Sequence, residues 1–439
     1  MTKFQAILIA AFILFTIVGA VIFATFKGKN STPQLPAIQI WGTFPSDTFN
    51  LFVQHLNISR PEGLKISYVQ KSPEQFDKDF IETLARGGGP DAVLLPQEMV
   101  LKHLDKIVPI PVTVIPQRNF MDAYIQQAEN YITSKGIIAL PFSVDPLVMY
   151  WNRDSFTNAG IPSYPKYWDD FGEISKKLTA KDENSNIRKS ALALGEFSNI
   201  THAREIFGSI LMQAGNPVLK VVQESNGEGG FSDSAQSMLA NASIQGGDRS
   251  NVALNFFIRY SNPADPDYSW NRALPQSRNA FLSGTLATYF GFASELSSIR
   301  GKNPNLNFDV APFPQAKKGL LRVTYGKMYG FSIVRSAHDQ AAALSILSSL
   351  VAPEALAYLS QQTYLPPVRR DLVAAGNADP YLANFYDSAL ISRAWLDPDA
   401  AATGDIFQEM VESVTSGRKL GYEAIKDADT KINLLISNI

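Results

Sequence analysis

The sequence predicts an α/β fold with an open sheet spread over two lobes, and an apolar segment before the first strand. Strand-like and helix-like stretches alternate along the chain, which is the pattern of such sheets. The chain has 439 residues, enough for two lobes that each bury a core. Hydrophobic residues make up 45% and charged residues 18% of it, a balance typical of a folded globular protein.

The first strands and helices follow from the spacing of apolar residues. Residues 37–41 and 64–68 each read as a strand, and residues 73–86 have the apolar spacing of a helix. Residues 92–95 form a continuous apolar run, which is typical of a strand covered on both faces, as in a parallel sheet. Further strands are predicted at 137–140, 147–151, 281–290, 307–311 and 329–334, and helices at 49–56, 119–133, 167–178, 341–351, 353–361 and 406–415.

The N-terminal segment predicts a membrane anchor. Residues 4–26 carry no charge, and this length meets the roughly 20 apolar residues that a spanning helix needs. A signal-peptide core is usually shorter, so we expect an uncleaved anchor within residues 1–30; a cleaved signal is the alternative. Residues 31–37 are rich in Ser, Thr and Pro and are predicted to be a tether.

Composition argues against several functions. The formal net charge of −2 gives no positive field that would attract nucleic acid. Cysteine is absent and the four histidines are far apart, so we expect no disulfide, no metal site, no cofactor and no catalytic residues. The Gly87–Pro90 run lacks the Lys-Ser/Thr of a phosphate-binding loop, and no Gly-x-Ser-x-Gly occurs.

Several short motifs, in order and at family-like spacing, resemble the extracellular solute-binding protein family 1, which includes the maltose-binding proteins of ABC importers. The resemblance extends from Ile38 to about Leu435. The motifs are Gly88-Gly89-Pro90-Asp91, Ala139-Leu140-Pro141-Phe142, Met149-Tyr150-Trp151-Asn152-Arg153-Asp154, Tyr164-Pro165-Lys166-Tyr167-Trp168-Asp169-Asp170, Ala280-Phe281-Leu282-Ser283-Gly284, Asp309-Val310-Ala311-Pro312-Phe313-Pro314 and Ser416-Gly417-Arg418. The sequence departs from the family in lacking a lipid-bearing cysteine near its start, so its anchoring mode differs from that of many members.

This resemblance implies a two-lobed periplasmic-binding-protein-like fold of type II, with the ligand in the cleft between the lobes. We expect lobe 1 to comprise residues 38–142 with 314–372, and lobe 2 to comprise residues 143–313 with 373–439. The chain segments that cross between them, near Pro141 and Pro312, are predicted hinges. Closure of two lobes around a ligand is a known motion of binding proteins.

The function implied by the resemblance is capture of a carbohydrate-like solute, a mono- or oligosaccharide, for an ABC permease pair. We expect a non-enzymatic monomer held by residues 4–26 on the outer face of the cytoplasmic membrane. One alternative is a membrane-anchored glycan sensor or adhesion module that serves no transporter, and another is a glycan-acting enzyme with paired carboxylates.

Candidate ligand-binding residues follow predicted strands, where open α/β sheets bind ligands. Sugars need aromatic faces for ring packing and carboxylates or amides for hydroxyl groups. Asp145 matches the position of a ligand carboxylate in sugar-binding relatives, although before Pro146 it is equally a turn former. Asp47 and Glu98 also suit helix starts. The complete predicted set is Trp41, Thr43, Asp47, Glu98, Asp145, Gly291, Phe292, Tyr325, Tyr329, Asp405 and Gln408.

Overall fold

A computed structural model describes residues 37–60, 63–225, 231–241, 245–319 and 321–438. The anchor predicted for residues 1–30, and the tether up to Pro36, lie outside the described residues. Among the helices that are described, none alone is long and apolar enough to cross a membrane. One bent pair, Gln340–Leu350 with Pro353–Thr363 at 57° to each other, reaches that length and composition only when both helices are taken together.

Strands and helices alternate through the part of the chain before Arg153, as predicted. The elements are β1 (Ile38–Gly42), α1 (Ser46–Ile58), β2 (Ile66–Gln70), α2 (Pro73–Ala85), β3 (Ala92–Pro96), α3 (Gln97–Val100), β4 (Ile107–Val108), α4 (Gln117–Ala123), β5 (Ile132–Thr133), β6 (Gly136–Ile137) and β7 (Leu140–Asn152). Two 3₁₀ helices, Leu101–Lys106 and Gln126–Tyr131, follow α3 and α4.

Helices dominate the remainder. The elements are α5 (Arg153–Asn158), α6 (Phe171–Leu178), β8 (Ala180–Lys181), β9 (Ile187–Leu192), α7 (Ala203–Gln213), β10 (Leu219–Ser225), β11 (Phe231–Ser237), α8 (Gly246–Ile258), α9 (Ser277–Leu282), β12 (Leu286–Phe292), α10 (Leu296–Lys302), β13 (Phe308–Pro312), β14 (Thr324–Val334), α11 (Gln340–Leu350), α12 (Pro353–Thr363), α13 (Arg370–Ala374), α14 (Pro380–Leu390), β15 (Ser392–Arg393), α15 (Ala400–Thr415) and α16 (Gly421–Ser437).

The continuous helix predicted for residues 119–133 is wrong. Helix α4 ends at Ala123, and Tyr124 adopts an extended conformation. The backbone there pairs with a distant segment, because the amide of Ile125 donates to the carbonyl of Val368 at 2.9 Å. A tertiary hydrogen bond therefore overrides the helical apolar spacing. The strand predicted from residue 281 also begins later, since residues 281 and 282 end helix α9.

One curled sheet runs through both parts of the molecule in the order β2-β1-β3-β14-β7-β12-β9-β8. Strands β1, β2 and β3 pair in parallel, whereas β14 is antiparallel to both β3 and β7. All five residues of β3 are buried, as the apolar run predicted. Parallel pairing also joins β12 with β9 and the short β15 with β14, whereas β8 at the far edge is antiparallel to β9.

Strand β7 joins the two halves of this sheet. Its first part, up to Pro146, pairs with β14, and its second part, from Leu147, pairs with β12 and β13. The pairing partner therefore changes between Pro146 and Leu147. The lobe boundary proposed after residue 142 lies within this same strand and stays a prediction.

Candidate ligand-binding cleft

A buried arginine joins three acidic side chains from separate parts of the chain. Arg204, in the first turn of α7, lies 2.9 Å from Glu98, 2.8 Å from Glu205 and 3.0 Å from Asp397. The guanidinium side chain is 9% exposed, and that of Asp397 is 1% exposed. Charges so deeply buried need partners of opposite sign. We refer to Arg204, Glu98, Glu205 and Asp397 as the arginine cluster.

Glu98 makes further contacts with β14. Its carboxylate lies 3.3 Å from the ammonium group of Lys327 and accepts a 3.2 Å hydrogen bond from the hydroxyl of Tyr325. The preceding Gln97 donates to Tyr325 at 3.1 Å. These contacts arise because β3 and β14 are neighbours in the sheet, so the turn after β3 meets the start of β14.

The cations set the ionisation of the cluster. Burial alone would raise the pKa of Glu98 and of Glu205, but the charge of Arg204 outweighs it and lowers both values. The pKa of Glu205 falls to about 2. Burial dominates at Asp397 and raises its pKa despite the contact with Arg204. Glu98 and Glu205 are therefore ionised at neutral pH.

Asp145 is a buried carboxylate with a different kind of partner. It lies at the end of the first part of β7, opposite Lys327 in the strand register, and accepts a 3.0 Å hydrogen bond from the backbone amide of Ser294. Burial raises its pKa to about 6, against the opposing hydrogen bond from Ser294. The side chain of Ser294 also donates to this carboxylate, which still has lone pairs left for further donors.

Glu295 positions the loop after β12. Its carboxylate lies 2.7 Å from His202 and 2.7 Å from Arg278, and it accepts hydrogen bonds from the Tyr289 hydroxyl at 2.9 Å and the Phe292 amide at 3.0 Å. His202, the residue before α7, has a φ of +62°, a conformation that is uncommon outside glycine. The imidazole meets the Phe292 ring edge-on at 4.7 Å.

Aromatic rings from β12 and β14 pack beside Lys327, the partner of Glu98. Tyr325 contacts Phe292 at a centroid distance of 6.3 Å and Trp395 at 5.5 Å. The ammonium group of Lys327 lies 5.9 Å from the centre of the Phe292 ring. Tyr329, two residues further along β14, packs against Phe44 at 5.3 Å. Acidic groups, a cation and aromatic rings thus converge where β3, β7, β12 and β14 meet.

The structure brings together some of the predicted ligand-binding residues. Contacts connect Glu98 with Tyr325 directly and with Phe292 through Lys327, while Asp145 binds the segment just after Phe292. Gly291 lies beside Tyr289 and Glu295, where an added Cβ would come within 2.8 Å of both side chains. This part of the prediction forms one connected set, although its role in binding stays a prediction.

The other predicted residues have separate surroundings. Trp41 is buried, with its indole nitrogen bonded to Gln39 and Lys71 above its ring. Thr43 is half-buried beside β3, and its amide donates to Leu94. Exposed positions on helices hold two acidic residues, Asp47 in the first turn of α1 and Asp405 on α15. Gln408 donates to Glu412 of the same helix.

Arg204, Glu205, Asp397 and Glu295 were not among the predicted site residues. Helix α7 itself, Ala203–Gln213, was not predicted, so nothing placed Arg204 near a cleft. Asp397 precedes a proline and resembles an ordinary turn residue. The sequence nevertheless contains one signal, the adjacent Arg204-Glu205 pair directly before the largely apolar residues 206–212; in the structure every residue of α7, including this pair, is buried. Within the described ranges, no group of three or more His, Cys, Asp or Glu side chains is placed to hold a metal ion.

The fold is that of a two-lobed solute-binding protein. The family model of the bacterial extracellular solute-binding proteins matches residues 62–357, about two thirds of the chain. The protein therefore belongs to this family, as the sequence motifs indicated, and the family implies a periplasmic or extracellular location. No curated protein sequence matches the chain.

Solved structures share the fold at low sequence identity. A cyclo/maltodextrin-binding protein complexed with maltotetraose is 15% identical, with a TM-score of 0.69 and coverage of 92% of this chain and 98% of that one. A cyclic α-maltosyl-1,6-maltose binding protein from Arthrobacter globiformis is 16% identical, with a TM-score of 0.70 and coverage of 92% and 100%. UgpB from Mycobacterium tuberculosis, in complex with glycerophosphocholine, is 17% identical, with a TM-score of 0.65 and coverage of 92% and 99%.

Proposed function

We propose that this protein binds a carbohydrate, a mono- or oligosaccharide, between its two lobes and delivers it to an ABC permease pair. The observation that carries the proposal is the convergence of Asp145, Glu98 and Lys327 on the rings of Phe292 and Tyr325. Aromatic faces pack against the apolar side of a sugar ring, and ionised groups bond its hydroxyls. Several of the solved structures that share the fold hold oligosaccharides, which supports the same ligand class.

Asp145 is the residue that we assign the strongest role in binding. Its carboxylate accepts hydrogen bonds from the amide and the side chain of a single neutral residue, Ser294, and it lies opposite Lys327 in the register. The carboxylate of Glu98, in contrast, already pairs with Arg204 and Lys327 and accepts a hydrogen bond from Tyr325. Donors from a ligand therefore complete the hydrogen bonding of Asp145. Glu98 contributes to ligand binding mainly by positioning Lys327 and Tyr325. The remaining predicted residues, among them Trp41, Thr43, Tyr329 and Asp405, are proposed contacts at the edges of the cleft.

A binding screen tests this function. Maltotetraose and mannotriose, with glycerophosphocholine as the contrast, are added to the purified full-length chain, and the shift in melting temperature is measured; a ligand that binds the folded form stabilises it. With the saccharide that stabilises the chain most, Asp145→Ala is expected to lower affinity about five- to hundredfold in titration calorimetry, the effect of leaving a donor unpaired.

The matched control for that experiment is Asp122→Ala, whose side chain is 74% exposed in α4 and which should leave affinity unchanged. Stabilisation by glycerophosphocholine and by none of the saccharides would contradict the carbohydrate assignment. Uptake of the stabilising saccharide should be lost in cells that lack the protein; unchanged uptake would favour a sensor over an importer component.

We also propose that residues 4–26 anchor the protein on the outer face of the membrane. The uncharged run is long enough to span a bilayer, and the chain has no cysteine to carry a lipid. Protease added to intact cells, or to spheroplasts if an outer membrane is present, should release the folded part while the anchor stays in the membrane fraction. Recovery of intact protein in the soluble fraction, lacking its first residues, would show a cleaved signal instead.

A further inference from the structure

Two ion pairs of opposite polarity cross the cleft side by side. Glu98 and Lys102 lie four residues apart in α3 and the 3₁₀ helix that follows it. Glu98 pairs with Arg204 at 2.9 Å, and Lys102 pairs with Asp399 at 3.1 Å. Arg204 also holds Asp397 at 3.0 Å, two residues before Asp399. The segment after β3 therefore contacts α7 through the acidic Glu98 and the start of α15 through the basic Lys102.

The two sides of these pairs belong to different halves of the fold. The segment with Glu98 and Lys102 packs on β3 and β14, in the half of the sheet that contains β1 and β2. Helix α7 packs on α8 and α15, whose buried residues belong to the core around β9 and β12, and it also meets the start of β14, where the amide of Tyr325 donates to Ser209 at 2.9 Å. The charges are complementary, since the acidic Glu98 and basic Lys102 on one side face the basic Arg204 and the acidic Asp399 on the other. Such an arrangement favours a single register of the two halves.

Each of the four residues also has a partner on its own side. Glu98 keeps Lys327 at 3.3 Å, and Lys102 keeps Asp77 at 2.6 Å. Across the cleft, Arg204 keeps Glu205 at 2.8 Å. Asp399 caps α15 by accepting hydrogen bonds from the amides of Ala401 and Ala402. Separation of the halves therefore leaves no buried charge without a partner, which would otherwise be strongly unfavourable.

We propose that Glu98–Arg204 and Lys102–Asp399 form a reversible latch that holds the two lobes closed before a ligand binds. The second partners keep the open form accessible, and the crossing pairs bias the equilibrium toward closure. A ligand acts on this equilibrium only through its different affinity for the two forms, so a latch that raises the closed fraction raises apparent affinity in proportion. The inference depends on the two-lobed fold and on no particular ligand.

The test measures interlobe distance in the full-length chain without ligand. Because the native sequence has no cysteine, Ile81→Cys on α2 and Val252→Cys on α8 provide two unique sites for spin labels; both side chains are exposed. Pulsed electron–electron resonance then gives the distance distribution. The test variants are Glu98→Gln and Lys102→Gln, which remove the crossing pairs. The matched controls are Glu205→Gln and Asp77→Asn, which remove a same-side partner of Arg204 and of Lys102.

Glu98→Gln is expected to raise the open-to-closed ratio about tenfold, since it weakens a buried charge-assisted hydrogen bond. Lys102→Gln is expected to raise it up to about fivefold, because that pair is partly exposed to solvent. Neither control should raise the open-to-closed ratio, because each removes a same-side partner that stabilises the open form and leaves the crossing pair in place. A parent distribution in folded Glu98→Gln, or an equal shift in Glu205→Gln, overturns the latch. If circular dichroism shows that Glu98→Gln does not fold, the test rests on Lys102→Gln. In that case, a distance distribution of Lys102→Gln that is identical to that of Asp77→Asn overturns the latch.

Discussion

Two buried acids of the candidate site have opposite ionisation behaviour. Glu205, in the arginine cluster, has a pKa lowered to about 2, whereas Asp145, beside Ser294, has a pKa raised to about 6. Both are buried, so depth does not distinguish them. The difference is the hydrogen-bonded partner: a guanidinium at 2.8 Å for Glu205, and the neutral amide and side chain of Ser294 for Asp145. A full positive charge in contact offsets the cost of burial, and the neutral hydrogen bonds from one serine do not.

This contrast separates structural from recognition roles in the cleft. Glu205 and Arg204 neutralise each other within α7 and need nothing from a ligand. Asp145 has a carboxylate that burial destabilises and that extra donors would stabilise. Recognition of hydroxyl groups is therefore expected to concentrate at Asp145, and the arginine cluster to determine how the two halves meet.

The largest effect is expected from removal of the shared cation. Arg204→Met keeps most of the side-chain volume and leaves Glu98, Glu205 and Asp397 without their common partner. Loss of one member of a buried ion pair typically costs about 3–5 kcal/mol. Urea unfolding at neutral pH should show a decrease of that size in the free energy of unfolding.

Arg272→Met is the control for this substitution. Arg272 pairs with Glu196 at 3.0 Å, but its side chain is 56% exposed, and exposed pairs contribute less than about 1 kcal/mol. If Arg204→Met lost no more stability than Arg272→Met, burial of the arginine cluster would not be the reason for its contribution.

The pH dependence of two amide variants sharpens the comparison, starting with Glu205→Gln. The folded pKa of Glu205 is about 2 and its ordinary value is 4.5. The ionised form therefore stabilises the protein above pH 4.5, and this contribution disappears as pH falls through 2. At neutral pH the variant should be less stable by up to about 3 kcal/mol, the free-energy equivalent of the pKa shift. Unfolding measured from pH 7 downward should show the deficit shrinking below pH 4.5.

Asp145→Asn should show the opposite sign. The folded pKa of Asp145 is about 6 against an ordinary 3.8, so the protonated acid is favoured in the folded state. The parent loses stability as pH rises from 3.8 to 6, and the variant does not. Without ligand, the variant should be more stable at pH 7 by up to about 3 kcal/mol, with no difference near pH 4. Equal and pH-independent changes in both variants would argue that packing, not charge, causes them.

The sequence predicted most of the fold because the elements that form it have local signals. The apolar run at residues 92–95 became the fully buried β3, and Pro73 begins α2 as expected. The prediction was wrong where a distant segment controls the backbone, as at Tyr124, whose partner is Arg369. No local pattern reports a pairing across more than two hundred residues.

The site was predicted less completely than the fold. Asp145, Glu98 and Phe292 follow strands, and the rule that ligands meet strand ends identified them. Arg204 lies at a helix start that was not predicted, and its partners are separated from it by 106 and 193 residues. The adjacent Arg204-Glu205 pair is a local signal, but contact with Glu98 and Asp397 depends on the tertiary fold, so spacing does not identify these two partners.

The path of β7 has a consequence for how the protein can be divided. One unbroken strand, Leu140–Asn152, is hydrogen-bonded to β14 in one half and to β12 and β13 in the other. Strand β14 returns to lie between β3 and β7, so neither half is a contiguous stretch of sequence. Truncation after β7 would leave β3, with all five residues buried, as an open edge. The two lobes are therefore one unit of synthesis and folding, and neither can be exchanged or expressed as a simple N- or C-terminal fragment.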